Sequence, residues 1–84
     1  MDGSQRFVYL LRSSIDPQQY YVGLTSNPVA RLAAHNAGQS PHTRRSRPWR
    51  ALVVIEFSDS ERARAFEQYL KSGSGREFSR RHFR

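Results

Sequence analysis

Arg31 and His35 stand four residues apart, a spacing that would place both side chains on one side of a helix. Together they could bind a single anionic ligand. The imidazole, whose ordinary pKa is about 6.5, could also move a proton near neutral pH. The alternative interpretation is a solvated arginine beside a histidine that has no role in chemistry.

Glu67 is a carboxylate on an otherwise apolar stripe, because it follows Ala63 by four residues and precedes Leu70 by three. An unpaired charge that leaves water costs on the order of several kcal/mol, which is comparable to the stability margin of a small domain. We therefore expect Glu67 to meet a cation or a metal ion. The non-catalytic alternative is an ion pair between Glu67 and an arginine.

Tyr9 and Tyr21 lie in two aromatic and β-branched segments that predict neighbouring strands. In an antiparallel pair the two rings can be cross-strand neighbours. Gly23, two residues after Tyr21, belongs to the same face and leaves room there for a backbone or a ligand. The alternative is that both tyrosines are core aromatics.

Several familiar catalytic patterns are missing from the sequence. The three histidines, His35, His42 and His82, lack zinc-binding spacing, and there is no cysteine. The sequence has neither the G-x-S-x-G pattern of a hydrolase nucleophile elbow nor a nucleotide-binding glycine pattern. These absences argue against a structural zinc site, a serine hydrolase and a nucleotide cofactor.

Three strands are predicted to carry the tyrosines and to form the sheet. Residues 7–11 are apolar at every position, as in a central strand that is covered on both faces. Tyr20–Thr25 follows at hairpin distance, and residues 51–57 are too short and too β-branched for a helix. We expect a small sheet that is mostly antiparallel.

Three helices are predicted from their end signals. Asn27 as the N-cap and Pro28 as the first helical residue begin one helix, which Gly38 ends, and its core stripe is expected to contain Val29, Leu32 and Ala33. Capping boxes at residues 58–61 and 74–77 begin two more, which end at Gly73 and near Phe83. The predicted fold is α/β, with helices flanking a three-stranded sheet in the order β-β-α-β-α-α.

The charge balance predicts a polyanionic partner. Among 84 residues, 14 lysines and arginines face 7 acidic residues, for a net charge of +7, so nucleic acid is the expected partner. No apolar run is long enough to cross a membrane, and neither a signal peptide nor cysteine is found. We therefore expect residues 1–84 to form one cytoplasmic domain without membrane contact.

A basic loop before the third strand is the candidate nucleic-acid contact. Its arginines can follow a phosphate backbone, and its tryptophan can stack on a base or wedge between bases. The alternative is a solvated loop whose tryptophan faces the core. The candidate nucleic-acid-binding residues are Arg44, Arg45, Arg47, Trp49 and Arg50.

The motifs Phe7-Val8-Tyr9 and Tyr21-Val22-Gly23 resemble the paired motifs of the GIY-YIG nuclease superfamily. Arg31 stands ten residues after Tyr21, where the family has its catalytic arginine, and residues 65–67 match the segment of its metal-binding glutamate. The resemblance covers nearly the whole chain. Residues 35–38 and 71–76 are similar to segments of small, single-domain bacterial members.

The resemblance implies a role for each candidate catalytic residue. Tyr21 would deprotonate a water molecule, Arg31 would neutralise charge on the phosphate, and Glu67 would hold one divalent cation, Mg²⁺ or alternatively Mn²⁺. Tyr9 would orient rather than react. His35 is a rival of Tyr21 for the base, since the ordinary pKa of a phenol is about 10 and that of an imidazole is much closer to neutral pH.

The leading hypothesis is a metal-dependent DNA endonuclease that is directed by DNA structure or by a partner. Besides DNA, the expected partners are another protein or a second copy in a homodimer. The alternative is a catalytically weak nucleic-acid-binding module with the same fold, because Ser79 stands where many family nucleases carry asparagine. A third class is a protein-interaction adaptor. Salt-sensitive DNA binding without metal-dependent cleavage would favour the second class.

Overall fold

The computed structural model describes residues 4–84. The three strands are β1 (Phe7–Ser13), β2 (Tyr20–Thr25) and β3 (Trp49–Glu56), and the three α-helices are α1 (Pro28–Asn36), α2 (Ser60–Leu70) and α3 (Gly73–His82). A short 3₁₀ turn at Arg44–Ser46 precedes β3. The α/β class and the order β-β-α-β-α-α confirm the prediction. None of the helices described is long and apolar enough to cross a membrane.

β1 is the central strand of an antiparallel sheet in the order β2-β1-β3. Four consecutive residues of β1, Val8, Tyr9, Leu10 and Leu11, are each at most 3% exposed. Because neighbouring side chains on a strand point to opposite faces, both faces of β1 are covered. The prediction of a doubly covered central strand is confirmed.

The two faces of the sheet pack against different helices. On one face Val8 joins Ala63 and Leu70 of α2, and half-buried phenylalanines from α2 and α3 pack against them. On the other face Tyr9 and Leu11 form a cluster with Trp49, Tyr21 and Leu32 of α1. The second face therefore brings both motif tyrosines against the helix that carries Arg31 and His35.

Helix α1 begins and ends at the predicted signals but turns a different side to the sheet. The Asn27 side chain accepts a hydrogen bond from the Ala30 backbone nitrogen at 3.1 Å, and Gly38 has the left-handed φ of 81°. The predicted core stripe was wrong at Val29, which is 81% exposed, and at Ala33, which is also exposed. The helix instead buries His35, which is possible because hydrogen bonds satisfy the imidazole.

Helices α2 and α3 begin at different cap residues from those predicted. Asp59, rather than Ser58, accepts a hydrogen bond from the Arg62 backbone nitrogen at 2.8 Å. Ser72, rather than Ser74, accepts from the Gly75 backbone nitrogen at 3.1 Å. Neighbouring serine and aspartate residues are nearly equivalent as N-caps, so local sequence cannot choose between them.

Candidate active site

A buried chain of hydrogen bonds connects Tyr9, His35 and Thr43. The Tyr9 hydroxyl lies 3.0 Å from Nε2 of His35, and the Thr43 hydroxyl lies 2.7 Å from Nδ1 of the same ring. All three residues are at most 3% exposed. These two hydrogen bonds fix the orientation of the ring. A neutral imidazole has one donor and one acceptor nitrogen, and both hydroxyl partners can donate or accept, so the proton can be on Nδ1 or on Nε2.

Thr43 is a site residue that sequence reasoning missed. It lies in the loop between α1 and β3, eight residues after His35, and it is completely buried. Its backbone carbonyl also accepts a hydrogen bond from Nε1 of Trp49 at 2.8 Å. A single threonine among polar loop residues gives no sequence signal, because its burial depends on how the loop folds back over α1.

Gly23 explains how the Tyr9 ring reaches its position. The two residues are directly opposite each other in the β1–β2 pair. A Cβ atom at position 23 would collide with the Cζ and Oη atoms of Tyr9, so the ring lies across the bare glycine. Gly23 was predicted to leave room for a backbone or a ligand, and the group that fills this room is the ring of Tyr9.

Tyr21 completes the aromatic part of the site. It pairs with Leu11 across the strands and is therefore diagonal to Tyr9, with 6.3 Å between the ring centroids. Its ring meets the His35 ring edge-on at 5.0 Å. Tyr21 is half-buried, and its hydroxyl forms no hydrogen bond with the residues that the structure describes. This phenol oxygen is thus available to a solvent molecule or a substrate.

The electrostatics of the site distinguish Tyr9 from His35. Burial raises the pKa of Tyr9, and a hydrogen bond and the positive charge of Arg31 oppose this increase, while the charges of Tyr21 and Glu67 add to it. Burial, and then the charge of Arg31, lower the pKa of His35. At neutral pH the phenol and the imidazole are therefore both uncharged.

Arg31 places a positive charge beside Tyr9 and His35. The residue is exposed and borders a cavity of about 300 Å³ together with His35. Within residues 4–84, Arg31 forms no ion pair with a carboxylate. A guanidinium that has no carboxylate partner and borders a cavity lined by a buried imidazole is suited to binding an anion.

Glu67 lies close enough to Tyr9 for its charge to raise the pKa of that phenol. The carboxylate side chain is 13% exposed, and its Oε2 atom lies 2.5 Å from Nζ of Lys71. The expected cation is therefore present, but it is a lysine of the same helix turn rather than an arginine. Lys71 was not among the predicted site residues, although the i, i+4 spacing of the two is a recognisable signal.

The structure places the candidate nucleic-acid-binding residues in two environments. The four arginines of the basic loop, Arg44, Arg45, Arg47 and Arg50, are exposed, whereas Trp49 is only 5% exposed. The Trp49 backbone is held by both ends of the Asn36 side-chain amide, at 2.6 and 3.0 Å. The tryptophan thus has the core-facing position that was considered as the alternative to base stacking.

Two phenols, an imidazole and a guanidinium therefore meet on the face of the sheet that α1 covers, and the charge of one carboxylate, Glu67 of α2, acts on the same buried phenol. The set contains groups for proton transfer and a cation for a negatively charged substrate. Within residues 4–84, no cluster of three or more histidine, cysteine, aspartate or glutamate side chains could hold a metal ion. This combination fits chemistry at a phosphate ester.

Comparison with curated proteins identifies relatives over most of the chain. Structure-specific endonuclease subunit SLX1 of Scheffersomyces stipitis is 42% identical over 67 residues, which are 71% of this chain and 20% of that protein. The SLX1 homolog of Leishmania infantum and homolog 1 of Trypanosoma cruzi are each 40% identical over 75 residues, or 80% of this chain and 10% and 14% of those proteins. This chain thus spans no more than a fifth of the length of these relatives.

No solved structure matches the chain. A family comparison, in contrast, matches residues 5–81 to the GIY-YIG catalytic domain. The matched range contains both tyrosine motifs as well as Arg31, His35 and Glu67. Because this match covers far more than half of the sequence, the chain belongs to the GIY-YIG family.

Proposed function

We propose that this chain is the catalytic domain of a divalent-metal-dependent endonuclease that hydrolyses phosphodiester bonds in DNA. The observation that carries the proposal is the convergence of Tyr9, Tyr21 and His35, with Arg31 and Glu67 acting electrostatically on the same buried phenol. The family match and the endonuclease names of the relatives support the same activity.

Tyr21 is the proposed general base, and Tyr9 is proposed to orient the site. The hydroxyl of Tyr21 has no protein partner within the described chain, so it can accept a proton from an attacking water molecule. His35 has both ring nitrogens engaged, and it could reach a water molecule only by giving up one hydrogen bond. We therefore assign His35 to positioning the Tyr9 hydroxyl.

Glu67 is the residue that would hold a metal ion. A single carboxylate suits Mg²⁺, which keeps several of its waters and takes further ligands from substrate phosphates. The low exposure of Glu67 and its position near Tyr9 fit this role, provided that the Lys71 ammonium releases the carboxylate. Mn²⁺ has similar ligand preferences and would serve in its place. When bound, the ion would stabilise negative charge on the phosphate.

Arg31 has the complementary role on the substrate side. Its exposed guanidinium can form two parallel hydrogen bonds to a phosphate, which orients the ester as well as neutralising its charge. The exposed arginines of the basic loop would hold the flanking strand, and Trp49 would fix the loop rather than contact a base.

Branched DNA is the proposed substrate, and a protein partner is proposed to direct the cleavage. The relatives are named as subunits of structure-specific endonucleases, and this chain matches only a small part of each of them. A second copy of this chain, in a homodimer, is the alternative partner. The expectation of a small bacterial subgroup, based on residues 35–38 and 71–76, is not supported, because the relatives are mostly eukaryotic SLX1 subunits.

A catalytically weak nucleic-acid-binding module is the second candidate function. It is favoured by Ser79, which replaces the family asparagine and is buried without a hydrogen-bond partner for its hydroxyl. An asparagine has a longer side chain with both donor and acceptor groups, so the serine cannot make the same contacts.

A cleavage assay distinguishes these functions. Supercoiled, branched and single-stranded DNA would be incubated with the protein in Mg²⁺, in Mn²⁺ and in EDTA. We expect metal-dependent cleavage of the branched substrate, lost in Arg31→Ala and retained in Arg64→Ala, which alters an exposed arginine on α2. DNA binding without cleavage would establish the nucleic-acid-binding module. If the protein neither bound nor cleaved DNA, the protein-interaction adaptor would be the remaining hypothesis.

A further inference from the structure

A second cavity of about 300 Å³ lies on the other side of Tyr21 from His35, between β2 and α3. Its polar lining comes from Tyr20, Lys71, Arg76, Ser79 and Arg84, and the remainder is aliphatic apart from Tyr21. Three of these side chains are cationic, and none of the described lining residues is a carboxylate. The composition of the cavity therefore favours an anion.

The two arginines of the cavity differ from their neighbours on α3. Arg80 and Arg81 both form ion pairs with Glu77, the former with a bidentate geometry. The Arg76 side chain, in contrast, has no ion pair or hydrogen bond with any residue between 4 and 84. Of the four arginines between residues 76 and 84, the inner two thus pair with Glu77, and the outer two, Arg76 and Arg84, have no ion pair within residues 4–84.

Arg84 is held over the cavity by an aromatic ring. Its guanidinium carbon lies 4.2 Å from the centroid of the Tyr20 ring, and one guanidinium nitrogen donates to the Arg76 carbonyl oxygen at 3.4 Å. Stacking on a ring orders a guanidinium without neutralising its charge. The remaining donors of Arg84 stay available to a ligand.

Ser79 gives an independent indication of a ligand. The residue is 2% exposed, and its hydroxyl is the one buried side-chain polar atom of residues 4–84 that has no hydrogen-bond partner. A serine in a helix can normally donate to a carbonyl of the preceding turn, but this one does not. Unsatisfied buried hydroxyls are uncommon in native proteins, and a missing ligand is one of the reasons for which they persist.

The cavity and the candidate active site meet at the edge strand β2, which carries Tyr21. Tyr21 lines the cavity and also meets His35 edge-on, and Lys71 lines the cavity and also pairs with Glu67. A polyanionic strand that crosses the active site can therefore reach the cavity through either residue. A single strand carries one phosphate charge per nucleotide, so occupation of both places by one strand needs no second molecule.

We propose that this cavity is a second phosphate-binding subsite, which holds a phosphate group of the nucleic-acid strand whose neighbouring ester is cleaved at Tyr21. The inference rests on the proposed function for the identity of the strand. Arg76 and Arg84 supply the charge, and the Ser79 hydroxyl supplies a neutral donor. The group is either an internal phosphodiester or a terminal 5′-phosphate, which share the same chemistry.

Two double variants with the same net charge test the subsite. Binding of a fluorescent 12-nucleotide single strand would be measured in EDTA over a range of salt concentrations. For Arg76→Gln with Arg84→Gln we expect the slope of log K against log salt to fall by about 0.7, since the subsite holds one phosphate and each single-strand phosphate contact contributes about 0.7. The matched control, Arg80→Gln with Arg81→Gln, should keep the parental slope because both side chains are engaged by Glu77 and neither lines the cavity.

Comparison of the two double variants decides the question. An equal loss of slope in both would show only a general positive field, and an unchanged slope in the Arg76 and Arg84 variant would show that the cavity holds no phosphate. Either result overturns the subsite. Binding of strands with a 5′-hydroxyl and with a 5′-phosphate identifies the bound group. If the parent binds more tightly than the Arg76 and Arg84 variant only when the strand carries a 5′-phosphate, the cavity holds the strand end. If the difference is the same for both strands, the cavity holds an internal phosphodiester.

Ser79→Ala provides a second test, which distinguishes a hydroxyl that binds a ligand from one that only stabilises the fold. Removal of an unsatisfied hydroxyl should leave thermal stability unchanged or raised. The affinity for the single strand should nevertheless fall by about tenfold, the usual effect of losing a hydrogen bond to a charged group. Ser74→Ala, at an exposed position of α3, is the control. Parental affinity in Ser79→Ala would remove the argument for a ligand in the cavity.

The outcomes separate this inference from the proposed function. A parent protein that cleaves and binds DNA while both double variants behave alike would refute the subsite alone. A parent protein that neither binds nor cleaves DNA would refute the proposed function and the subsite together.

Discussion

The hydroxyl of Tyr9 and Nε2 of His35 lie 3.0 Å apart in a fully buried contact between the central strand and the first helix. The two residues are 26 positions apart in sequence. Their contact requires a histidine that remains uncharged, because a buried imidazolium would need a negative partner, whereas the charge that acts on His35 is the positive one of Arg31.

The first prediction concerns the pH dependence of stability. The pKa of His35 is lowered by folding from its ordinary value of about 6.5, so below that pH the unfolded chain binds more protons than the folded chain. The contribution of His35 to the free energy of unfolding should therefore be fully present above pH 6.5. It should decrease as the pH is lowered from 6.5 toward the pKa of the folded state. Urea unfolding at intervals from pH 7.5 to 5.5 measures this decrease.

His35→Gln should flatten this pH dependence, because the titrating group is absent. His42→Gln, at an exposed position in the following loop, should retain the parental pH dependence and is the matched control. A parent protein whose stability does not change between pH 7.5 and 5.5 would show that His35 is protonated as easily when folded as when unfolded.

The second prediction concerns the close approach of Tyr9 to Gly23. In Gly23→Ala the new methyl group would occupy the position of the Tyr9 ring, so the ring must move away from His35. Overpacking of this kind costs about 1–3 kcal/mol. Urea unfolding should show this loss, whereas Gly73→Ala, where a Cβ atom has no neighbour within 4 Å, should be nearly neutral. Equal stabilities of the two variants would mean that the ring is not confined by the glycine.

Features encoded by local sequence were predictable. The five consecutive apolar residues from Phe7 to Leu11 require cover on both faces, and the structure gives β1 the central place. The end signals of α1, from Asn27 to Gly38, act within one helical turn of their own positions. Such signals are independent of the rest of the fold, which is why they could be read from the sequence alone.

Features that depend on long-range packing were not predictable. Helix α1 has apolar residues on more than one side, and burial of Leu32 with His35 rather than Val29 depends on hydrogen bonds to other segments. Thr43 and Trp49 become part of the site only because the loop folds back over α1.

The third prediction tests Glu67 as a metal ligand. Glu67→Ala should abolish metal-dependent cleavage while changing the free energy of unfolding by no more than about 1 kcal/mol, since its half-exposed lysine partner forms a weak ion pair. Glu61→Ala, at an exposed position of the same helix, should retain cleavage. The assignment is wrong if Glu67→Ala unfolds readily and calorimetry detects no Mg²⁺ binding by the parent protein.

The fourth prediction concerns the basic loop. Changing Arg44, Arg45 and Arg47 to glutamine should reduce the salt slope of duplex binding by up to about 2.7, because each phosphate contact contributes about 0.9. The cleavage rate of bound DNA should remain the same, since these exposed side chains lie outside the tyrosine cluster. A triple change at Arg62, Arg64 and Arg81 removes the same charge elsewhere and is the control. A parental slope in the loop variant would place the DNA contacts on another surface.

The last prediction separates the two motif tyrosines. Tyr21→Phe keeps the ring that packs against His35 and removes only the hydroxyl, which has no partner in the described chain. If that oxygen accepts the proton of the attacking water, the cleavage rate should fall by about 100-fold or more, with DNA binding and thermal stability unchanged. Tyr9→Phe should reduce the rate less but should lower thermal stability, because it leaves Nε2 of the buried His35 without a partner. Single-turnover cleavage and thermal unfolding of both variants measure these effects. Parental cleavage by Tyr21→Phe together with loss of cleavage in His35→Ala would transfer the role of the base to the histidine.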